Sequence, residues 1–117
     1  MARAVSLVAM TTPILGLPEL QEASPLAHIV ANTNFRLLEA FAGRLLVNIT
    51  TATPPGSPAE SACYYVASSP TGAWAGHAGE IACNIQGAWY FWDVLTGHAY
   101  WNLGTSALIR WNGSAWV

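Results

Sequence analysis

All six tryptophans of this 117-residue chain lie between Trp74 and Trp116. Three of them closely follow a glycine, in Gly72-Ala73-Trp74, Gly87-Ala88-Trp89 and Gly113-Ser114-Ala115-Trp116. Glycine accepts the positive φ of a tight turn, and a bulky aromatic residue after it favours the extended strand that follows. The repeated pattern therefore predicts a stack of short β-hairpins. So many tryptophans also exceed what a small sheet needs for its own core, so we expect a partner chain, a ligand or an unusually aromatic core to cover them.

The composition is unusually poor in charge. Hydrophobic residues make up 53% of the chain and charged residues 9%, whereas about 25% charged residues is typical of globular proteins. A surface with so little charge favours a subunit that hides much of its surface in an assembly. The net charge of −2, with four scattered arginines, predicts no nucleic-acid partner. No apolar run has the length of about 18 residues that a membrane-spanning helix needs, so we expect no membrane insertion.

Residues 1–23 are predicted to form an N-terminal docking arm. Prolines in Thr11-Thr12-Pro13 and Leu17-Pro18 exclude a long helix in this segment. The arm is nonetheless apolar, with Ile14, Leu15 and Leu17 as its docking residues. We expect it to lie against another surface; its first ten residues resemble a signal peptide only faintly.

Residues 24–43 are predicted to form one amphipathic helix. Ser24 and Pro25 suit its N-cap and first turn, and Gly43 suits its C-cap. Its apolar residues follow steps of three and four and form one stripe. Two interpretations remain open: the stripe packs on the chain's own sheet, or it lines the axis of a symmetric oligomer. In the second, the interface residues are Leu26, Val30, Leu37 and Phe41.

Residues 44–117 are predicted to form a β-rich domain. The expected strands are 45–53, 62–67, 80–84, 89–92, 99–101 and a hairpin over 107–116. Gln86-Gly87 and Asn112-Gly113 supply the turns, and Asn-Gly between aromatic strands is a strong hairpin signal. Both faces of 89–92 are aromatic, so the helix, a neighbouring subunit or a ligand must cover the second face. The expected fold is α+β, with an extended arm and one helix before a small antiparallel, hairpin-rich domain, in a trimer.

The two cysteines, Cys63 and Cys83, each fall in a predicted strand. A free cysteine in such a position behaves as a small buried hydrophobic residue, and this is the interpretation we favour. A cross-strand disulfide is the alternative. Their spacing does not match a zinc site.

Little in the sequence points to catalysis. His28, His77 and His98 lack a metal-ligand spacing. Asp93 with Glu80 imitates the two carboxylates of a glycosidase, but turn or cap roles suit them better. With no nucleophile, phosphate or dinucleotide motif present, we expect no enzyme, no metal site and no cofactor.

Carbohydrate binding is the functional alternative that the residues themselves suggest. Sugars stack on tryptophan rings while polar side chains bind their hydroxyl groups. The candidate contacts are Trp74, His77, Trp92, Asp93 and Trp101. The same residues suit a subunit interface, where tryptophan is also enriched, and we favour that interpretation.

Several motifs in chain order resemble a small uncharacterised domain family found in fibre and spike proteins of tailed phages and phage-like gene transfer agents. The motifs are Leu15-Gly16-Leu17-Pro18-Glu19-Leu20, a helix with Asn32 and Asn34, Ala52-Thr53-Pro54-Pro55-Gly56-Ser57-Pro58, Gly72-Ala73-Trp74-Ala75-Gly76 and Gly87-Ala88-Trp89-Tyr90-Phe91. The resemblance covers about residues 13–117. It implies a virion surface location, in the base of a multimeric host-attachment structure, and no catalytic residues.

The sequence then predicts a structural role in the virion. Because the chain stops at Val117, where the domain ends, we expect an adaptor or base of a head or tail fibre or spike. Its partners would be copies of itself in a trimer, capsid, portal or tail proteins, and a downstream fibre or receptor-binding protein. It would be assembled into particles in the bacterial cytoplasm. The alternative is a module that binds host surface glycan through exposed tryptophans.

Overall fold

The computed structural model describes residues 11–14, 16, 17, 19 and 27–117. Its elements are the helix α1 (Ala27–Gly43), a 3₁₀ turn (Gly72–Trp74), and the strands β1 (Leu45–Leu46), β2 (Cys63–Tyr65), β3 (Glu80–Ile85), β4 (Ala88–Asp93), β5 (Ala99–Asn102) and β6 (Ala107–Arg110). This confirms an α+β fold of one helix and small, mainly antiparallel sheets in the described part. The predicted helix start at Ser24-Pro25 lies outside the described residues, as do Leu15, Leu26 and the side chain of His28. No helix in the described residues is long and apolar enough to cross a membrane.

The strands form two three-stranded sheets. The first has the order β2-β3-β4 and is antiparallel throughout. The second has the order β1-β5-β6, in which β5 and β6 are antiparallel but β1 runs parallel to β5. The hairpin pattern of the sequence did not predict this parallel pair, because β1 has two residues and its partner lies far along the chain.

Both turns predicted between aromatic strands are confirmed. Gln86 and Gly87 have φ angles of 52° and 82° and join β3 to β4, as a two-residue turn with positive φ at both positions does. After β6, Trp111 pairs with Trp116 across the Asn112-Gly113 turn. Here the Asn112 Oδ1 atom accepts hydrogen bonds from the backbone N–H groups of Ser114 and Ala115, each at 2.8 Å.

The helix ends differently from the prediction. The residue with positive φ after it is Arg44, at 50°, and not Gly43. The backbone carbonyl of Arg44 accepts a hydrogen bond of 2.8 Å from the Trp101 N–H group. The left-handed residue that ends α1 therefore also aligns the chain for the parallel pairing of β1 with β5.

The predicted strand over 45–53 is wrong beyond Leu46. The Asn48 Oδ1 atom accepts hydrogen bonds from the Thr50 N–H, the Thr51 N–H and the Thr51 hydroxyl, at 3.2, 3.1 and 2.7 Å. An asparagine that bonds the backbone two and three residues ahead forms a turn in place of a continuing strand.

The Gly72-Ala73-Trp74 motif also differs from the prediction. It forms a 3₁₀ turn, and the next strand, β3, begins only at Glu80. The turn directs the Trp74 side chain into the protein, where it is completely buried. Of the three glycine-tryptophan motifs, two thus belong to hairpins, and this one supplies a core residue.

The core has two parts, on opposite faces of the β2-β3-β4 sheet. The main core contains Leu37, Ala40, Leu46, Cys63, Ile81, Cys83, Ile85 and Tyr100. The aromatic core contains Tyr64, Val66, Trp74 and Ala82, with Trp89 and Phe91 packed against it. The chain therefore covers both faces of β4 itself, with the Phe41 ring of α1 lying 6.1 Å from the Trp92 ring.

Cys63 and Cys83 form a disulfide, so the favoured prediction of two free thiols is wrong. The two residues lie directly opposite each other on β2 and β3, with their Cα atoms 4.1 Å apart. The sequence left the disulfide open because it does not determine the register between two separate strands. The bond joins the two strands in the main core.

Candidate interaction surface

The five residues predicted to contact glycan do not all come together. Trp74 is fully buried in the aromatic core, so the prediction of a ligand contact is wrong for this residue. Trp92 is half-buried and packs against the main core. Trp101 is 40% exposed, but it lies on β5 in the other sheet. Of the six tryptophans, all within the described residues, it is the one with the most open surface.

His77 and Asp93 lie at the open end of the β3-β4 hairpin, away from its turn. The His77 ring stacks on Phe91, with ring centroids 3.6 Å apart and planes 5° from parallel. Its Nδ1 atom lies 2.8 Å from the Glu80 Oε1 atom, and Glu80 is directly opposite Asp93. Within the described chain, no group of three or more His, Cys, Asp or Glu side chains is arranged to hold a metal. The stack and the His77–Glu80 pair fix the loop before β3 onto the face of β4.

The helix residues predicted to line an oligomer axis are mostly covered by the chain itself. Val30 and Leu37 are buried, and Leu37 belongs to the main core. A neighbouring subunit could not contact them, so the interface prediction is wrong for these two residues. The stripe packs on the chain's own sheet, which was the other interpretation. Phe41 is half-buried, with the Arg44 guanidinium 5.1 Å above its ring.

The described part of the N-terminal segment folds back onto the protein. The Thr12 N–H group donates to the Leu17 carbonyl at 2.9 Å, and the Leu17 side chain packs against the main core. Ile14 remains largely exposed at the tip of this turn. Leu17 is therefore partly covered by the chain itself, and Ile14 is the more exposed of the two.

A shallow apolar groove of about 390 Å³ lies between this turn and α1, lined by Thr12, Pro13, Ile14, Leu17, Leu38, Phe41 and His98. Burial and the charge of Arg44 both lower the pKa of His98, which favours its neutral imidazole. The shift keeps the His98 side chain uncharged near neutral pH, so the groove is a neutral, apolar surface.

Among the described residues, most of the exposed large apolar side chains are on or beside the β1-β5-β6 sheet. Trp101 of β5 is directly opposite Leu45 of β1 on one side and Leu108 of β6 on the other. Residues directly opposite each other point to the same face of a sheet. The inner face carries the buried residues Leu46, Tyr100 and Asn102, so the Leu45–Trp101–Leu108 row points outwards.

Two further exposed residues extend this row. Leu103 follows β5 and alternates with the buried Asn102, and Val117 pairs with the exposed Arg110. We define the outer sheet face by these residues: Leu45, Trp101, Leu103, Leu108, Arg110 and Val117. Sequence reasoning identified Trp101 but missed the leucines, because only the parallel pairing of β1 places Leu45 beside it.

Residues 31–117 match the model of a family described as "Protein of unknown function (DUF2793)". The matched segment includes most of α1, both sheets and the whole outer sheet face. No curated protein matches the chain.

Proposed function

Because the chain belongs to the DUF2793 family, whose description gives no function, we propose one from its sequence and structure: a structural subunit of a virion or gene-transfer-agent particle. It is the adaptor or base that anchors a head or tail fibre or spike. Its partners are copies of itself, capsid, portal or tail proteins, and a downstream fibre or receptor-binding protein. The observation that carries this proposal is the outer sheet face.

The outer sheet face concentrates the exposed apolar surface of the chain. It contains five of the nine large apolar side chains that the described residues expose. The largest exposed apolar patch of a protein is often its contact surface. Since charged residues make up only 9% of the chain, there is also little charge around the patch to keep it in water. Both features support an assembled subunit.

The buried disulfide is a second supporting feature. Disulfides persist in oxidising surroundings, which include virion and cell surfaces, and are rare in the cytosol. If the chain is assembled into particles in the bacterial cytoplasm, the Cys63–Cys83 bond would form after release of the particle. The bond would then stiffen the sheet in the state that meets the host.

The trimer expected from the sequence would need contacts other than those predicted from the helix stripe. That stripe is buried in the chain, so a threefold contact along α1 has to use its outward side. The exposed apolar residues of α1 are Ile29, Phe35 and Leu38, and Ile29 and Leu38 lie on opposite flanks of the buried stripe. They are fewer than those of the outer sheet face, which makes the sheet the stronger candidate for contact between subunits.

Glycan binding is the second candidate, and the exposure of Trp101 is the observation that favours it. The ring is open to a sugar face, but Leu45 and Leu108 flank it on both sides. Sugar sites place hydrogen-bonding side chains beside the ring, and Arg110 is the one charged residue on the outer sheet face. This setting favours a protein contact over a glycan.

Co-purification with particles tests the proposed function. A tagged chain, expressed in cells that produce the particles, is expected to sediment with intact particles through a density gradient and to resist washing with 1 M salt, since the contact is apolar. Cells without particle production serve as the control, and there the chain stays in the soluble fraction. Recovery of the chain only in the soluble fraction of producing cells would exclude the virion role.

A further inference from the structure

We infer that the outer sheet face binds the same face of a second copy of this chain, about a two-fold axis parallel to β5. This inference rests on the proposed function, because it names the first partner of the assembly subunit. It differs from the expected threefold contact along the helix. Three properties of the face support it: the symmetry of the apolar row, the opposite charges at the two sides of the face, and the exposed apolar area.

The apolar row matches itself under this rotation. Adjacent strands lie about 4.8 Å apart, so Leu45 and Leu108 flank Trp101 at nearly equal distances. A two-fold axis along the central strand places Trp101 against Trp101 of the partner subunit and Leu45 against Leu108 of the partner subunit. Contacts of this kind, in which one patch faces itself, are the commonest way in which soluble proteins form oligomers.

The two sides of the face carry opposite charges. Arg110 is exposed on β6, directly opposite Ala99, two residues before Trp101 on β5. Beside β1, across β5 from Arg110, Glu39 and Leu45 line the same small cavity, together with Gly43. Within the described residues, the ion pairs are Arg36–Glu60 and His77–Glu80, so neither Glu39 nor Arg110 is paired in one copy.

The same rotation brings these charges together. Gly43 ends α1 two residues before Leu45, and both line the small cavity beside Glu39. Glu39 precedes Gly43 by about one helical turn. Arg110 therefore faces the side of the partner that carries Glu39, and the two-fold axis repeats this pairing on the other side. The rotation thus pairs Arg110 of each copy with Glu39 of the other, at both sides of the face. A two-fold axis perpendicular to the strands would instead place Arg110 near Arg110 and Glu39 near Glu39.

The area also suits a dimer. The apolar side chains of the outer sheet face expose on the order of 400 Å², which is in the range of the largest apolar patch on a typical monomer, a patch that is often functional. A standard interface buries about 800 Å² per partner, of which about 56% is apolar. The exposed patch thus supplies about the apolar area that one such interface needs, with polar loops around it for the remainder.

Charge reversal tests the inference with full-length purified protein. Arg110→Glu and Glu39→Arg each place like charges at both rims, so each variant alone is expected to dimerise at least about tenfold more weakly than the wild type. An equimolar mixture of the two variants restores both opposite-charge pairings. Native mass spectrometry and sedimentation velocity, with one variant carrying a mass tag, are expected to show a heterodimer with an affinity within about threefold of the wild type.

The mixture distinguishes the inference from its alternatives. Both substituted residues are exposed, and circular dichroism is expected to show an unchanged fold. A wild-type protein that stays monomeric, a trimer unaffected by either variant, or a mixture that forms no heterodimer would overturn the inference. None of these results affects the particle co-purification test, so the proposed function and the dimer can fail separately.

Discussion

Replacing Trp74 with alanine is expected to lower the free energy of unfolding by about 3–5 kcal/mol, the range found for large aromatic side chains in a core. The Trp74 ring is fully buried and lies 5.1 Å from the Trp89 ring and 5.5 Å from the Tyr64 ring, measured between centroids. Its removal leaves a cavity that the short 3₁₀ turn cannot fill. Urea denaturation followed by circular dichroism measures the loss.

Trp101→Ala is the matched control for this prediction. It removes the same side chain from the outer sheet face, where 40% of it is exposed, and is expected to cost less than about 1.5 kcal/mol at low protein concentration. Trp74→Phe keeps most of the apolar volume and removes an indole N–H group that has no hydrogen-bond partner in the described chain. Its loss in the free energy of unfolding is therefore expected to lie between those of Trp74→Ala and Trp101→Ala. Equal losses for Trp74→Ala and Trp101→Ala would contradict the burial of Trp74.

Reduction of the Cys63–Cys83 disulfide is expected to lower the free energy of unfolding by about 3 kcal/mol. The bond closes a loop with a sequence separation of 20 residues, and the chain-entropy relation gives about this value for such a loop. The measurement compares urea unfolding with and without a strong reductant. The Cys63→Ala/Cys83→Ala double variant controls for effects of the reductant itself and is expected to show no dependence on it. Titration of two free thiols in the air-oxidised wild-type protein under denaturing conditions would refute the disulfide.

The sequence predicted the elements that depend on local signals. The helix was found because its apolar residues recur every three to four positions, and β3 and β4 because Gln86-Gly87 can form a tight hairpin turn. The last hairpin was found for the same reason, from Asn112-Gly113. In each case the decisive residues lie within one turn or one hairpin of each other.

The features that the sequence did not predict depend on pairings between distant segments. The disulfide requires the register of β2 on β3, and the outer sheet face requires the parallel alignment of β1 with β5. The burial of Trp74 requires a 3₁₀ turn where a glycine before an aromatic residue indicated a hairpin. The sequence predicted that something must cover the many tryptophans, and the chain's own packing covers most of their surface. The part left uncovered is on the outer sheet face.

We propose that the outer sheet face, and not the outward side of α1, is the contact surface of the chain. Leu108 and Phe35 test it directly, because each is 67% exposed, one on the sheet and the other on the helix. The measurement is the solution mass by light scattering of the wild type, Leu108→Asp and Phe35→Asp. We expect Leu108→Asp to be a monomer and Phe35→Asp to keep the dimer mass of the wild type. A monomeric Phe35→Asp beside a Leu108→Asp that keeps the wild-type mass would contradict it.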